Sequence, residues 1–263
     1  MWNTLLYQPI VNALILFYQI FAQNFGIAII ALTIFIRGAL TPLTLPSLKS
    51  AQKLKELQPE LEKLKKKHGK DRQKFAKEQL EFYQKHGVNP ASGCLPQIIQ
   101  IIILIALFQA FNQVLQANGN IIENLNKVLY APLQFAKDDV LNTKFLYLDL
   151  TQPDVFKIPA IKIFSFTIDK LPGIFLIAAA ASQFFSSKLM MPAAQATTAK
   201  AEKTKEQTDD MAASMQKQML YFMPVMTLFI GFKFPSGLVL YWLTFSVFMA
   251  CQQFLLKRKA DNK

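Results

Sequence analysis

The sequence predicts an all-α fold: a polytopic membrane protein with five transmembrane helices, an external N-terminal amphipathic helix and a cytoplasmic antiparallel helical hairpin. Two observations favour this class. Of the 263 residues, 52% are hydrophobic and 17% are charged, with a mean hydropathy of +0.23. The apolar residues also gather in long blocks, with lysine and arginine between them. This distribution excludes a disordered chain, and a content of two cysteines excludes a disulfide-stapled domain.

Residues 1–24 are predicted to form an amphipathic helix on the outer leaflet. Apolar residues recur at helical spacing at Leu6, Ile10, Leu14 and Phe17 or Ile20, and Pro9 suits a first helical turn. An additional or extended membrane span is the alternative for this segment.

Each apolar block extends to roughly the 20 residues that a spanning helix needs. The predicted spans are 25–46, 94–115, 171–191, 219–234 and 236–256. The fourth span is short and is followed by Pro235-Ser236-Gly237, so the last two spans are predicted to form a tight helical hairpin.

Residues 47–93 carry the longest soluble pattern and predict a hairpin of two antiparallel helices. Leucines repeat at spacings of three and four residues, which is typical of a short coiled-coil seam, at Leu54, Leu57, Leu61 and Leu64. Gly69 is predicted to end the first helix and Gly87 the second. A solvated charged linker is the alternative.

Basic residues predict the orientation. Segments 47–93, 192–218 and 257–263 carry 20 lysines and arginines, whereas segments 1–24 and 116–170 carry six. By the positive-inside rule, the first three segments are cytoplasmic and the other two are external. The N-terminus is therefore predicted outside, and the basic tail 257–263 inside.

The chemistry within the spans depends on Arg37, which lies about twelve residues into the first apolar block. A guanidinium at mid-bilayer depth costs about 2.5 to 3.5 kcal/mol on insertion scales and usually faces a bundle interior or a wet cavity. No aspartate or glutamate occurs in the five spans, so the sequence offers Arg37 no intramembrane ion pair. A hydrated cavity lined by polar side chains follows from this. The alternative is an arginine that locks helices together through backbone carbonyls.

The residue inventory argues against an enzyme. The spans hold no carboxylate for a coupled transporter or an aspartyl protease, and the sequence has no zinc-protease motif. The histidines, His68 and His86, both lie in the predicted hairpin beside glycine, where surface positions near helix ends are expected. Cys94 and Cys251 are far apart, so no thiolate metal site is predicted. We expect no catalytic residue, cofactor or metal.

Short motifs occur in order along nearly the whole chain. They are Thr33-Ile34-Phe35-Ile36-Arg37, Pro42-Leu43, Lys49-Ser50, Leu57-Gln58-Pro59-Glu60, His86-Gly87-Val88-Asn89-Pro90, Gly93-Cys94-Leu95-Pro96, Ile99-Gln100, Met223-Pro224-Val225-Met226, Phe234-Pro235-Ser236-Gly237-Leu238, Leu240-Tyr241-Trp242 and Gln252-Gln253. Each motif alone is weak, but together they are specific. The chain resembles the YidC/Oxa/Alb family of membrane protein insertases, in its short bacterial YidC-type form.

The resemblance implies an insertase and folding chaperone that uses neither nucleotide nor metal and works with or without the Sec translocon. In the family, a hydrated groove opens to the cytoplasm and to lipid and carries an arginine that matches Arg37. Two positions depart from the family pattern: Gln97 stands where leucine is frequent, and Ser186, with Gln183 one turn earlier, stands where glutamine is usual. The groove residues implied for this chain are Arg37, Thr33, Gln97, Gln100, Gln183, Ser186 and Trp242.

The resemblance also implies a bacterial plasma membrane location and a set of partners. These are nascent membrane proteins with short acidic tails, the ribosome, the Sec translocon, the signal-recognition-particle receptor and membrane lipids, without sequence-specific nucleic acid. A small-solute channel or transporter would use the same polar residues, and so would a non-catalytic assembly chaperone. Both stay open as alternatives.

Overall fold

The structure, a computed structural model, describes residues 2–68, 71–89, 95–115, 121–163, 166–190 and 209–261. Helices dominate these ranges. They are α1 (Gln8–Ile20), which continues a π-helical turn over Asn3–Tyr7, α2 (Phe25–His68), α3 (Arg72–Lys85), α4 (Leu95–Leu115), α5 (Ile121–Asn126), α6 (Ile174–Met190), α7 (Asp209–Gly231) and α8 (Ser236–Asp261).

Helices occupy each segment for which a membrane span is predicted. By length and composition, Phe25–Leu54 within α2 and Ser236–Leu256 within α8 are long and apolar enough to cross a bilayer. Shorter apolar stretches cover Ile98–Ala110, Ile174–Leu189 and Leu220–Gly231. The described residues therefore contain two helices with the length and composition of a membrane span.

α2 is one continuous helix of 44 residues. The sequence predicts a span that ends at residue 46 and a separate hairpin helix after it, yet Pro42, Pro46 and Pro59 all lie inside α2. The hydroxyls of Thr41 and Thr44 donate to backbone carbonyls one turn earlier, at 2.7 and 3.0 Å. They bond to carbonyls other than those of Gly38 and Pro42, which Pro42 and Pro46 leave without a helical N–H partner. The first predicted span and the first hairpin helix thus form a single rod about 66 Å long.

α3 returns alongside α2. Asp71 caps the start of α3, since its carboxylate accepts a first-turn backbone N–H at 3.1 Å. After α3, Gly87 adopts a φ of +62°, a left-handed conformation that glycine tolerates well. His86 Nε2 then lies 3.8 Å from the Glu60 carboxylate of α2. Gly69, predicted to end the first hairpin helix, lies outside the described residues.

The segment that joins α4 to α6, residues 121–173, is named here the α4–α6 segment. It contains two antiparallel strand pairs, β1 (Lys144–Phe145) with β2 (Leu148–Asp149) and β3 (Val155–Ile163) with β4 (Phe166–Pro172). The predicted all-α fold does not hold here, and α6 begins at Ile174, not at 171. β-branched residues recur along β3, which favours an extended strand, and Pro159 lies at a register irregularity of β3.

Helix α1 packs into the core along one stripe. Leu14 and Ile15 are fully buried, together with Val11 and Tyr18. In the apolar stripe that the sequence predicts, Leu14 is fully buried, whereas Leu6 and Ile10 keep part of their surface exposed. The apolar face of α1 is therefore rotated by about one residue from the predicted one.

Asn12 ties α1 to the α4–α6 segment. Its side chain is buried, donates to Val128 O at 3.0 Å and accepts the Tyr130 N–H at 2.7 Å. These two bonds fix α1 against a part of the chain more than a hundred residues away.

The last two helices extend beyond the predicted spans. α7 begins at Asp209, within the predicted cytoplasmic loop, and α8 continues through most of the predicted basic tail. Residues 192–208 lie outside the described residues, and so does Cys94. Cys251 is exposed on α8 and has no disulfide.

Candidate functional site

The site is centred on Arg37, in the N-terminal half of α2. Its side chain is only 5% exposed, and its guanidinium carbon lies 3.9 Å from the centre of the Phe245 ring on α8. A guanidinium at this distance from an aromatic face is attracted by the ring quadrupole. Helices α2 and α8 therefore hold the cation between them without a carboxylate.

Arg37 keeps a free donor. Its Nη2 is buried and has no hydrogen-bond partner, and among the described residues no carboxylate lies within ion-pair distance of it. Gln100 Oε1 is likewise buried without a donor. Unpartnered buried polar atoms are rare in proteins and each costs about 1 to 3 kcal/mol. The site thus offers a free donor and a free acceptor to water or to a bound group.

Tyr241 joins α4 to α8 beside Arg37. It is almost fully buried, and Gln100 Nε2 donates to its hydroxyl oxygen at 2.6 Å. One turn further along α8, the Phe245 ring lies 6.4 Å from the Tyr241 ring. Tyr241 occurs in a motif quoted for the family resemblance, but no role follows for it from the sequence alone. Tyr241 and Phe245 are four residues apart, and this spacing in the sequence indicates that both rings lie on one face of a helix.

A polar stripe continues from Arg37 along α2. It consists of Thr33, Arg37, Thr41, Thr44 and Ser47, which recur every three or four residues and so share one helix face. All are buried or partly buried. The helical spacing of these residues is visible in the sequence, but only Thr33 and Arg37 are predicted there as groove residues.

Helix α8 supplies polar groups opposite the part of this polar stripe that contains Thr41. Gln252 Nε2 donates to Thr41 Oγ1 at 3.3 Å, and the neighbouring Gln253 and Ser246 are buried. Toward the other end of α2, the buried residues are apolar, among them Phe25, Ile29 and Leu32. Arg37 therefore lies where an apolar core meets polar packing that runs toward the α3 end of α2.

The remaining predicted site residues occupy different surroundings. Thr33 is buried one turn before Arg37, but its hydroxyl donates within α2, to Ile29 O at 2.6 Å. Trp242 is partly buried and packs against the hydrophobic core. Gln97 lies in the first turn of α4, and its side chain lies outside the described part of the structure.

Gln183 and Ser186 lie on α6. Gln183 Oε1 accepts a short hydrogen bond from Thr227 of α7, and Thr227 also donates to Met223 O. Ser186 is buried one turn later. The Gln183 carbonyl is thus used in a bond between helices. Arg37, Phe245, Tyr241 and Gln100 form the Arg37 cluster, and of the other predicted residues only Gln100 joins it through a described side-chain contact.

Residues 16–263 match the protein family described as 60Kd inner membrane protein. The chain is 33% identical to a membrane protein insertase YidC of Fusobacterium nucleatum, over 91% of this chain and 89% of that relative. It is 29% identical to one of Oceanobacillus iheyensis, over 98% of this chain and 84% of the relative. It is 33% identical to one of Oleidesulfovibrio alaskensis over 98% of this chain, but spans only 39% of that longer relative.

Proposed function

The chain belongs to the family of the 60Kd inner membrane protein, and from this premise we propose that it is a membrane protein insertase of a bacterial plasma membrane. The observation that carries the proposal is the buried guanidinium of Arg37, whose Nη2 has no partner. A permanent cation in an apolar helix, with a donor left free, is suited to attract a group that another molecule brings.

The proposed topology has five spans, contributed by α2, α4, α6, α7 and α8, with the N-terminus outside and the C-terminus inside. The 20 basic residues of segments 47–93, 192–218 and 257–263 support this orientation. Arg37 lies twelve residues after Phe25, which is about 18 Å along a helix. In a hydrocarbon core about 30 Å thick, this places the guanidinium near mid-bilayer depth.

The proposed groove opens to the cytoplasm. The polar stripe runs from Arg37 toward the α3 end of α2, which lies inside in this topology, whereas the apolar residues beyond Thr33 close the outer side. In the proposed groove, Arg37 and Gln100 contact the substrate directly. The rest of the proposed lining consists of Thr33, Gln97, Gln183, Ser186 and Trp242. A substrate carboxylate that reaches Arg37 from the cytoplasm crosses a shorter apolar distance than in unaided insertion. The process needs no nucleotide hydrolysis and no covalent step.

The proposed substrates are hydrophobic segments with short acidic tails. A carboxylate would accept hydrogen bonds from the guanidinium, while the hydrophobic segment moves sideways into lipid. Hydration of the groove keeps this ion pair weak, because charged pairs are far stronger in dry surroundings. The tail is therefore released to the outer side.

The α2–α3 hairpin is the proposed site for partners in the cytoplasm. Residues 47–93 carry 12 basic and six acidic residues, an excess suited to the ribosome, to the signal-recognition-particle receptor or to anionic headgroups. Since α2 is continuous from Phe25 to His68, a partner on the hairpin would contact the same rod that holds Arg37. The Sec translocon is a further proposed partner.

The test is insertion by the purified chain alone in liposomes, measured as protease protection of a single-span substrate. Two substrates differ only in the tail, one with acidic residues and the other with the matching amides. We expect the wild-type chain to protect both. Arg37→Ala should lower protection of the acidic tail several-fold and that of the neutral tail much less.

Lys188→Ala is the matched control. It removes one positive charge from the exposed last turn of α6, away from the Arg37 cluster, and should insert both substrates as the wild type does. Equal losses for both tails in Arg37→Ala would remove the guanidinium from the mechanism. A folded wild-type chain that protects neither substrate would contradict autonomous insertion and favour an assembly chaperone.

A further inference from the structure

A cavity of about 390 Å³ lies between α6 and α7, away from the Arg37 cluster. It is named here the α6–α7 cavity, and almost all its lining is apolar. The residues that define its length and width are Pro172, Ile177, Ala181, Phe185, Tyr221 and Leu228. From Ile177 to Phe185 it extends about 12 Å along α6. The cavity is widely open along one side, so it forms a groove on the surface of the two helices.

Two lysines stand beyond one end of this cavity. Lys157 of β3 and Lys170 of β4 are exposed and directly opposite each other in the antiparallel pair. The Cβ atoms of directly opposite residues lie about 4.5 to 5.5 Å apart, and like charges in such a pair repel each other. Without an anion between them, this pair destabilises the hairpin.

The strand register places the lysines on the cavity side. Pro172, which lines the cavity, is two residues after Lys170 on β4, and residues two apart on a strand project from the same face. Lys157, opposite Lys170, shares that face. The pairing here is regular, because the register irregularity lies beyond Lys157. An apolar channel and a pair of ammonium groups therefore follow each other along one surface.

We propose that this surface binds one anionic phospholipid, with an acyl chain in the α6–α7 cavity and the phosphate between Lys157 and Lys170. The arrangement has the polarity of a lipid, with the apolar part along α6 and the cationic part beyond the helix start. The inference rests on the proposed topology, which puts both lysines at the outer leaflet, and it is independent of insertion activity. Neither Arg37 nor the polar stripe takes part.

The test is electron spin resonance of the full chain reconstituted in phosphatidylcholine vesicles with a trace of spin-labelled lipid. The immobilised fraction is compared between spin-labelled phosphatidylglycerol and spin-labelled phosphatidylcholine. For the wild type we expect several-fold more immobilised phosphatidylglycerol. Lys157→Glu/Lys170→Glu should abolish this preference, whereas Lys137→Glu/Lys144→Glu, which makes the same charge change elsewhere in the α4–α6 segment, should keep it.

A second variant tests the cavity. Ala181→Trp fills it and should lower the immobilised fraction of phosphatidylglycerol, whereas Val247→Trp, at an exposed position of α8, should not. Circular dichroism and gel filtration establish that each variant is folded. A wild type without lipid preference, or an unchanged preference in Lys157→Glu/Lys170→Glu, overturns the proposal. So does an unchanged immobilised fraction in Ala181→Trp, which would assign the cavity to another occupant, such as a partner's helix.

The same vesicles serve for the insertion assay, so the two proposals fail separately. Insertion without a phosphatidylglycerol preference contradicts only the lipid site. A phosphatidylglycerol preference without insertion contradicts only the insertase proposal.

Discussion

Arg37 is a permanent cation stabilised by an aromatic face instead of a carboxylate. A cation–π contact contributes about 0.5 to 2 kcal/mol, depending on how far the cation is desolvated, which is less than the cost of burying an unpaired guanidinium. An aspartate on a facing helix would stabilise the fold more, but it would occupy the donor that a substrate needs. The site therefore gives up stability in exchange for a free Nη2.

The bond from Gln100 to Tyr241 is predicted to stabilise the cluster. Tyr241→Phe removes the acceptor of Gln100 Nε2, so both polar atoms of the amide become unpaired in a buried place. We expect a loss of about 1 to 3 kcal/mol, seen as a lower apparent melting temperature of the purified chain in detergent.

The double variant Tyr241→Phe/Gln100→Leu distinguishes this explanation from simple loss of packing. It removes both polar partners and should recover most of the lost stability, because neither of these two side chains then leaves a buried polar atom unpaired. Tyr130→Phe is the matched control, since that residue is 46% exposed and its change should have little effect. A double variant less stable than Tyr241→Phe alone would contradict the role given to the hydrogen bond.

At the scale of elements, the α4–α6 segment caps two helices. At the start of α6, the Asp154 carboxylate accepts the Leu176 N–H at 2.8 Å, and the Tyr147 oxygen accepts the Ile174 N–H at 3.0 Å. The Tyr147 hydroxyl donates to Asp154 at 2.9 Å, and partial burial raises the pKa of Tyr147, so this donor stays protonated. At the start of α8, the Ser236 N–H and hydroxyl donate to backbone carbonyls of the same segment.

Gly173 is predicted to be essential for the cap of α6. A Cβ at this position would lie 1.7 Å from Asp154 Oδ1, so Gly173→Ala should displace the carboxylate from the helix start. Loss of a cap costs about 0.5 to 2 kcal/mol, to which the steric displacement adds. Thermal unfolding in detergent measures the effect.

Gly38→Ala is the matched control for this change. A Cβ at Gly38 meets no atom within 4 Å, and alanine in a helix interior is favoured over glycine by about 1 kcal/mol. Gly38→Ala should therefore be neutral or stabilising. A Gly173→Ala variant as stable as Gly38→Ala would show that the segment tolerates loss of the cap.

For the whole molecule, the apolar blocks of the sequence predict where the long apolar helices of the described residues lie, because a spanning helix needs about 20 apolar residues. They were insufficient to fix the ends. The first span is predicted to end at residue 46, where the polar flank begins, yet α2 continues through Pro42, Pro46 and Pro59 to His68. In the α4–α6 segment, β1 and β2 are only two residues long, and the pairing of β3 with β4 has a register irregularity that periodicity does not reveal.

Part of the candidate site can also be predicted from the apolar blocks of the sequence. A lone cation in an apolar block is visible in any sequence, so Arg37 stands out without a structure. Its surroundings are set by tertiary packing between α2, α4 and α8, which brings Phe245 to Arg37 and Gln100 to Tyr241 but leaves Gln183 in a bond with Thr227. Residue type alone does not distinguish these glutamines.

The proposed topology makes a prediction about the whole chain that thiol labelling in intact cells can test. In a background with Cys94→Ser and Cys251→Ser, single cysteines replace Gln73 on α3, Val140 in the α4–α6 segment and Lys233 between α7 and α8. All three positions are exposed, Val140 by 87%, and lie outside the helices that contribute the proposed spans, so labelling by a membrane-impermeant maleimide reports the side of the membrane. We expect Val140→Cys and Lys233→Cys to be labelled in intact cells and Gln73→Cys only after lysis.

The reverse pattern would invert the orientation and place the opening of the polar stripe outside, where a substrate made in the cytoplasm does not reach it. Labelling of Gln73→Cys and Val140→Cys from one side would mean that α4 does not cross the bilayer, and the five-span arrangement around Arg37 would be wrong.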